Sequence, residues 1–265
     1  MSRIGDAFAA ARRAGRAAFI PYVTAGDPSL DRTVDLARAL RRAGADILEL
    51  GVPFSDPIAD GPTNQLAAER ALAAGATLAG VLDSVAAIRS EEDLPVVLFS
   101  YANPVVQYGV ARFAEDAASA GVDGVLFTDV PVEEMERFSP DLGRAGIDAI
   151  LLVAPTSTKE RIKAASRHGG GFIYLVATTG VTGARSALDP QLAHNIRTAR
   201  RISKLPVAVG FGISTPAQVS EVAALADGVV VGSAIVDRIA RFGDATGLED
   251  MIQRFVTPLA EACRR

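Results

Sequence analysis

Three carboxylates lie within one proline-rich stretch of the chain, and their types and spacing could support acid–base chemistry. Glu49 directly follows the apolar residues Ile47 and Leu48, where the pattern predicts a buried strand, and Asp56 and Asp60 follow on a loop. Burying an unpaired carboxylate costs on the order of several kcal/mol, so a glutamate here needs a partner or a function. Two carboxylates in different surroundings can take separate acid and base roles. We therefore interpret Glu49 and Asp60 as the candidate catalytic pair.

Each acidic side chain in this region also has a structural explanation. Glu49 could form a salt bridge at the end of its strand. Asp56, in the sequence Ser-Asp-Pro, is as consistent with a turn as with a functional site. Asp60, before Gly-Pro-Thr, is harder to explain as a turn residue. Asp129, in the sequence Thr-Asp-Val-Pro, is interpreted as structural support for its loop.

The elements that must position these side chains alternate between short apolar runs and segments with helical periodicity. Gly, Pro or Asp bounds each run, and Ser, Thr or Pro marks several helix starts. The runs predicted as strands are 18–23, a run that ends at Glu49, 96–100, 124–127, 149–153, 172–176, 207–210 and 228–231. The helices predicted from these signals include 4–14, a helix that follows Ser29 and runs to Ala43, 133–145, 159–168 and 215–224.

This alternation predicts an α/β fold, a single (β/α)8 barrel that spans residues 1–265 with an extra N-terminal helix. Continuous apolar runs indicate parallel strands that are buried on both faces, and eight such units suggest closure. The alternative is a doubly wound sheet, which usually has fewer strands and an early glycine-rich turn. The first strand here ends in Thr-Ala-Gly-Asp instead. We expect the active site at the C-terminal ends of the strands, where barrels place their functional groups.

Other strand ends carry further candidates for one shared site. Tyr22, Tyr101 and Tyr174 lie at the ends of the first, third and sixth predicted strands. Glycine-rich turns follow the seventh and eighth strands, where barrels usually bind phosphate, because glycines let backbone N–H groups approach the oxygens. They therefore predict a phosphorylated substrate. The three glycine-rich turns of the chain are 179–183, 210–214 and 232–234.

Composition and residue usage argue against several other functions. The net charge of −4 and pI near 5.3 give no basic face for nucleic acid or an anionic membrane. Cys263 is the single cysteine, and His168 and His194 fall on predicted helices, so no metal site is expected. No lysine lies at a strand end, which argues against imine chemistry. We expect a cytoplasmic location, because no signal peptide or apolar span is present.

The motifs of the chain resemble, along essentially its whole length, those of the α subunit of tryptophan synthase. The stretch Leu-Glu-Leu-Gly-Val-Pro-Phe-Ser-Asp-Pro-Ile-Ala-Asp-Gly-Pro is close to a signature of that family by itself. The other matching motifs occur in the same order and spacing as in the family. They lie at 21–28, 129–134, 180–183, 210–214 and 232–236.

The resemblance implies retro-aldol cleavage of indole-3-glycerol phosphate to indole and D-glyceraldehyde 3-phosphate, within L-tryptophan biosynthesis. Glu49 would be the acid and base, Asp60 would accept the indole N–H, and Tyr174 would line the site near Glu49. The residues implied to enclose the ring are Tyr22, Phe99, Tyr101, Leu126 and Phe211. Those implied to bind the phosphate or close the site are Thr182, Gly183, Gly210, Gly212, Gly232 and Ser233.

The resemblance also implies a partner and no metal or organic cofactor in this chain. The partner would be a β subunit that carries pyridoxal phosphate and receives indole in an α2β2 heterotetramer. Asn64, Thr128 and Thr178 depart from the family pattern and leave substrate affinity and coupling to β open. One alternative is therefore a subunit with weak chemistry that mainly activates β. Another is an unrelated phosphate-binding barrel enzyme, such as a sugar-phosphate isomerase.

Overall fold

Parallel strands close into a barrel in a computed structural model that describes residues 2–177, 190–210, 212–243 and 245–265. Each strand pairs with the next along the chain, and the eighth pairs with the first. The predicted α/β barrel is therefore confirmed. The strands are β1 (Ala18–Thr24), β2 (Leu48–Gly51), β3 (Val96–Ser100), β4 (Gly124–Phe127), β5 (Asp148–Val153), β6 (Ile173–Val176), β7 (Val207–Gly210) and β8 (Gly228–Val231).

Helices surround the barrel within the described residues. No single one of them is long and apolar enough to cross a membrane, although the bent pair Pro62–Ala73 and Leu78–Glu91 passes that test of length and composition together. The helices are α1 (Arg3–Arg13), α2 (Leu30–Arg42), α3 (Pro62–Ala73), α4 (Leu78–Glu91), α5 (Ala102–Tyr108), α6 (Val110–Ala120), α7 (Ser139–Arg144), α8 (Lys159–His168), α9 (Pro190–Ile202), α10 (Pro216–Ala223), α11 (Ser233–Phe242) and α12 (Leu248–Glu261).

The strands divide the buried residues into two layers, because successive side chains on a strand point to opposite faces. One layer packs between strands and helices, and the other fills the barrel interior. The predicted N-terminal helix, α1, closes one end of the interior. Its Phe8 ring lies 5.4 Å from the ring of Phe172, and Ile4 is fully buried. The opposite end of the barrel, at the C-terminal ends of the strands, remains open for a functional site.

The strand register places interior side chains of neighbouring strands side by side. Tyr22 on β1 pairs with Glu49 on β2, and Glu49 pairs with Val97 on β3. Because the strands are parallel, their C-terminal residues collect at one end of the barrel. Glu49 and the residues that end the other strands therefore face a common space.

One predicted helix, 133–145, is wrong as a single element. The chain forms a 3-10 turn over Val132–Arg137, breaks at Phe138, and then forms α7. Pro140 explains the break, since proline donates no backbone hydrogen bond and its ring clashes with the carbonyl group four residues earlier in a continuous helix. Proline is tolerated in the first turn, so α7 begins immediately before it.

Candidate active site

A cavity of about 680 Å³ opens at the C-terminal ends of the strands. Glu49 and Asp60 line it together with Tyr174, and the glycine-rich turns after β7 and β8 contribute Gly212 and Gly232. The two candidate carboxylates and the candidate phosphate turns therefore share one space. A cavity of this volume suits a small-molecule ligand.

Glu49 is held on β2 inside the barrel, where its side chain is only 1% exposed. Its Oε1 atom has no hydrogen-bond partner within the described part of the chain. Burial, together with the smaller effect of the negative charge of Asp60, raises the pKa of Glu49 to about 8. A carboxyl with this pKa is protonated near neutral pH and can donate a proton.

Asp60 lies on the loop between β2 and α3, and neighbouring groups fix it in place. The Tyr101 hydroxyl donates a hydrogen bond of 3.1 Å to Asp60 Oδ2 and accepts one of 2.9 Å from the Ala59 N–H. The side-chain amide of Gln65 donates a hydrogen bond of 2.9 Å to the Asp60 backbone oxygen. These contacts hold the carboxylate at the edge of the cavity.

The pKa of Asp60 lies below that of Glu49, although burial raises it to about 6. The hydrogen bond from Tyr101 opposes the effect of burial, because it stabilises the charged carboxylate. Between about pH 6 and pH 8, Asp60 is therefore ionised while Glu49 holds its proton. One site thus contains a proton donor and a fixed negative charge, which is the division expected of an acid–base pair.

Two interior tyrosines complete the wall around Glu49, and a glycine on a neighbouring strand makes room for each. A Cβ atom on Gly210 would lie 2.0 Å from the Tyr174 hydroxyl, and one on Gly51 would lie 2.3 Å from the Tyr22 hydroxyl. Burial raises the pKa of both phenols above their ordinary value. They are therefore neutral at physiological pH and act as polar, uncharged walls.

The Tyr22 ring is also fixed by its neighbours. It packs edge-on against Phe99, with ring centroids 5.3 Å apart, and its hydroxyl lies 3.3 Å from Thr24 Oγ1. The Phe99 ring lines the same cavity. The floor of the cavity is therefore largely aromatic and suits a planar apolar ring.

The glycine-rich turns differ in the backbone N–H groups that they leave available. The side chain of Gln218 accepts hydrogen bonds from the N–H groups of Ser214 and Thr215, so the start of α10 is already capped. Within the part of the chain that the structure describes, helix α11 begins at Ser233 without a side-chain cap, and both Ser233 and Gly232 line the cavity. An anion would find free N–H groups at the first turn of α11.

Comparison with known proteins identifies the family. The family model for the tryptophan synthase alpha chain matches residues 8–263. The chain is 51% identical over 262 residues to the tryptophan synthase alpha chain of Geobacter sulfurreducens, with 99% of each protein covered. It is 49% identical over 259 residues to that of Solibacter usitatus, covering 98% of this chain and 97% of the relative.

Solved structures agree with the sequence comparison. Tryptophan synthase subunit alpha from Legionella pneumophila superposes with a TM-score of 0.91 at 37% identity, covering 99% of this chain and 98% of that one. The chain belongs to the tryptophan synthase alpha chain family. This membership supports a lyase activity, the alpha reaction, and confirms the predicted enzyme class.

The structure brings together most of the residues that the family resemblance implied. Leu126 is fully buried in the barrel interior and is not among the residues that line the cavity, whereas Tyr101 reaches the site through its hydrogen bond to Asp60. Gly210 contributes by its closeness to Tyr174. Thr178, Thr182, Gly183 and Phe211 lie outside the described residues. The predicted residues that line the cavity are Tyr22, Glu49, Asp60, Phe99, Tyr174, Gly212, Gly232 and Ser233.

Several apolar residues of the cavity wall were missed by the sequence analysis. Leu152 and Val176 come from β5 and β6, Val230 comes from β8, and Ile213 lies in the turn after β7. These residues are apolar, like most residues of barrel strands, so their types alone do not mark them as part of a site. The alternation of side chains along each strand is a signal that could have found Leu152, because it points to the same face as Ile150.

Two acidic side chains outside the candidate pair, Asp129 and Asp56, form local hydrogen bonds. Asp129 accepts a hydrogen bond of 2.9 Å from the Ala102 N–H, which is consistent with its predicted supporting role. Asp56 is exposed and accepts a hydrogen bond of 2.6 Å from the Ser55 hydroxyl. Among the described residues, no group of three or more His, Cys, Asp or Glu side chains could hold a metal ion.

Proposed function

We propose that this site cleaves indole-3-glycerol phosphate to indole and D-glyceraldehyde 3-phosphate, using Glu49 and Asp60 as the reacting pair. The observation that carries the proposal is the placement of a buried, protonated Glu49 and an ionised Asp60 in one cavity. The family membership of the chain supports the same reaction.

The first step is protonation of the indole ring at the carbon that bears the glycerol chain. Glu49 donates this proton, and positive charge develops on the ring nitrogen. The Asp60 carboxylate accepts the ring N–H hydrogen bond and stabilises this charge, an interaction that strengthens in the transition state. Because both groups are fixed before the reaction, little reorganisation is needed.

The second step breaks the carbon–carbon bond. The Glu49 carboxylate, now without its proton, removes the proton of the chain hydroxyl adjacent to the ring. The oxygen forms the aldehyde carbonyl, and the electrons of the broken bond return to the ring and neutralise its charge. Glu49 ends the cycle protonated, so a single residue serves as acid and then as base.

The substrate phosphate would bind where the backbone offers free N–H groups. Gly232 and Ser233 at the start of α11 are the best placed, with Gly212 on the neighbouring turn. This placement anchors the chain end of the substrate and leaves the ring for the aromatic floor around Tyr22 and Phe99. No metal or organic cofactor has a role in these steps.

The chain would work with a β subunit, as the names of its relatives suggest. A tryptophan synthase from Mycobacterium tuberculosis, whose solved structure is titled an aminoacrylate-bound form, superposes on this chain with a TM-score of 0.89 at 35% identity. Ile58 is 87% exposed on the loop that carries Asp60, and Val106 on α5 is 48% exposed. We infer that these apolar side chains dock against a pyridoxal phosphate-dependent β subunit in a cytoplasmic α2β2 assembly.

Indole formation from indole-3-glycerol phosphate, by the chain alone and with β, tests the proposal. Turnover that rises when β is added supports it, and no turnover in either condition would reject it. A second candidate function is that of a β activator with weak chemistry of its own, which the polar Asn64 in the cavity wall favours. Stimulation of β without any release of indole by this chain would support that alternative.

A further inference from the structure

Asn64 places a side-chain amide in the wall of the active-site cavity. It lies in the first turn of α3, where its backbone N–H donates a hydrogen bond of 3.0 Å to the Gly61 oxygen. Its side chain lines the same cavity as Glu49 and Asp60. The Oδ1 atom is buried and has no hydrogen-bond partner in the part of the chain that the structure describes. An unpaired buried amide oxygen costs about 1–3 kcal/mol, so its presence requires an explanation.

Two other polar groups of this wall have hydrogen-bond partners in the protein. The Thr128 hydroxyl donates a hydrogen bond of 3.4 Å to the Ser100 oxygen, and Asp60 accepts one from Tyr101. Glu49 also has an unpaired oxygen, which the proposed reaction uses. Asn64 differs from these groups, because its Oδ1 atom has no partner among the described residues and no role in the proposed chemistry.

The position of Asn64 indicates which part of the substrate it faces. Asn64 follows Asp60 by four residues on one segment, and Pro62 and Thr63 between them also line the cavity. In the proposed arrangement Asp60 contacts the ring nitrogen, whereas Ser233 at α11 holds the phosphate. Asn64 therefore shares a segment of the cavity wall with the carboxylate that would contact the ring.

We propose that Asn64 is a specificity-determining residue that hydrogen-bonds a hydroxyl group on the ring of the substrate. The site would then favour indole-3-glycerol phosphates with a ring hydroxyl over the unsubstituted compound. This inference rests on the proposed function. A hydroxyl satisfies either orientation of the amide, because it can donate a hydrogen bond to Oδ1 or accept one from Nδ2.

An unsubstituted ring would leave the amide unpaired in the complex. Its C–H groups cannot replace the hydrogen bonds of water, so the cost of the buried oxygen would persist after binding. A site that can bond a substrate hydroxyl discriminates against the analogue that lacks it, because its polar group is then unsatisfied. Leucine at this position would reverse the preference, since it matches the apolar ring and offers no hydrogen bond.

The test compares substrate preference between variants of the full chain. We would measure kcat/KM for indole-3-glycerol phosphate and for its analogues with one hydroxyl on the benzene ring. In Asn64→Leu, the ratio for the best hydroxylated analogue over the unsubstituted substrate should fall about tenfold, which corresponds to about 1.4 kcal/mol. Asn103→Leu is the matched control, and its ratio should stay unchanged because Asn103 is exposed on α5 and does not line the cavity.

An unchanged ratio in Asn64→Leu would overturn the inference. The ratio would stay unchanged, for example, if kcat/KM fell equally for both substrates, because the amide would then bind the glycerol chain that the two substrates share. Asn64→Ala removes the same amide from a helical position and carries the same prediction if the leucine variant does not fold. Failure of the unmodified chain to cleave the unsubstituted substrate, alone or with β, would instead reject the proposed function.

Discussion

The Tyr101 hydroxyl donates a 3.1 Å hydrogen bond to Asp60 Oδ2, and this contact joins a strand end to the loop that carries the carboxylate. Tyr101 directly follows β3, whereas Asp60 lies between β2 and α3. The same hydroxyl accepts a hydrogen bond from the Ala59 N–H. The contact therefore has two effects: it positions the loop, and it lowers the pKa of Asp60 against the effect of burial.

Tyr101→Phe tests both effects. The proposed reaction requires an ionised Asp60 and a protonated Glu49, so kcat/KM should follow a bell-shaped pH profile with limbs near 6 and 8. Without the phenol hydrogen bond, the pKa of Asp60 rises and the acid limb should move to higher pH. We also expect kcat/KM at the optimum to fall about tenfold, because the loop loses its anchor.

Tyr108→Phe provides the control for this substitution. The Tyr108 hydroxyl donates a hydrogen bond of 2.7 Å to Asp116, on α6 and outside the cavity. Its removal should leave the pH profile in place. If the acid limb of Tyr101→Phe coincided with that of the unmodified chain, the assigned effect of Tyr101 on Asp60 would be wrong.

Glu49→Gln should stabilise the folded chain at neutral and higher pH. The folded protein keeps the Glu49 proton up to about pH 8, whereas the unfolded chain releases it near the ordinary pKa of 4.5. The folded state therefore binds more protons within this window, and its stability falls as the pH rises. Glutamine does not titrate, so at pH 7 the variant should gain roughly 3 kcal/mol in free energy of unfolding.

Urea denaturation between pH 4 and 9 measures this difference. The gain should be small below about pH 4.5, grow through the window and level off above about pH 8. Glu136→Gln, which replaces an exposed glutamate, should show no such trend. A gain for Glu49→Gln that did not vary with pH would contradict the assignment of a raised pKa to Glu49.

Gly210→Ala should disturb the site through Tyr174. The added Cβ would lie 2.0 Å from the Tyr174 hydroxyl, so the ring must move away from its place beside Glu49. Overpacking of this kind typically costs about 1–3 kcal/mol of stability. We expect a loss in that range by chemical denaturation and a lower kcat for indole release.

Two further variants show whether the Tyr174 contact is the cause. Combining Gly210→Ala with Tyr174→Phe removes the closest atom and should recover part of the lost stability, a coupling that a double-mutant cycle measures. Gly143→Ala on α7 adds a methyl group where no atom lies within 4 Å and should not destabilise the chain. Strict additivity of Gly210→Ala and Tyr174→Phe would argue against the contact.

The fold could be predicted from sequence to a large extent, because parallel barrel strands leave a local signal. The predicted strands 96–100, 124–127, 207–210 and 228–231 coincide with β3, β4, β7 and β8. Each is a continuous apolar run, which is what burial on both faces requires. The predicted helix 133–145 failed because its periodicity and the start signal of Pro131 favoured one helix, whereas Pro140 broke it.

The site was harder to predict, because its chemistry depends on contacts between distant segments. Glu49 stood out as a charge in an apolar strand, so its burial could be predicted, but its local sequence does not show how close Asp60 lies, and both effects raise its pKa. The hydrogen bond between Tyr101 and Asp60 joins residues 41 positions apart. The unpaired oxygen of Asn64 likewise becomes evident only when its neighbours in space are known.

The central claim is that the proton on Glu49 drives the cleavage, and single-turnover release of indole by Glu49→Gln tests it most directly. The variant keeps the shape of the side chain, so it should bind indole-3-glycerol phosphate within about threefold of the unmodified chain. Because it lacks the acid and base, indole release should slow by about a hundredfold to ten-thousandfold. Release at a near-normal rate by the folded, substrate-binding variant would contradict the account.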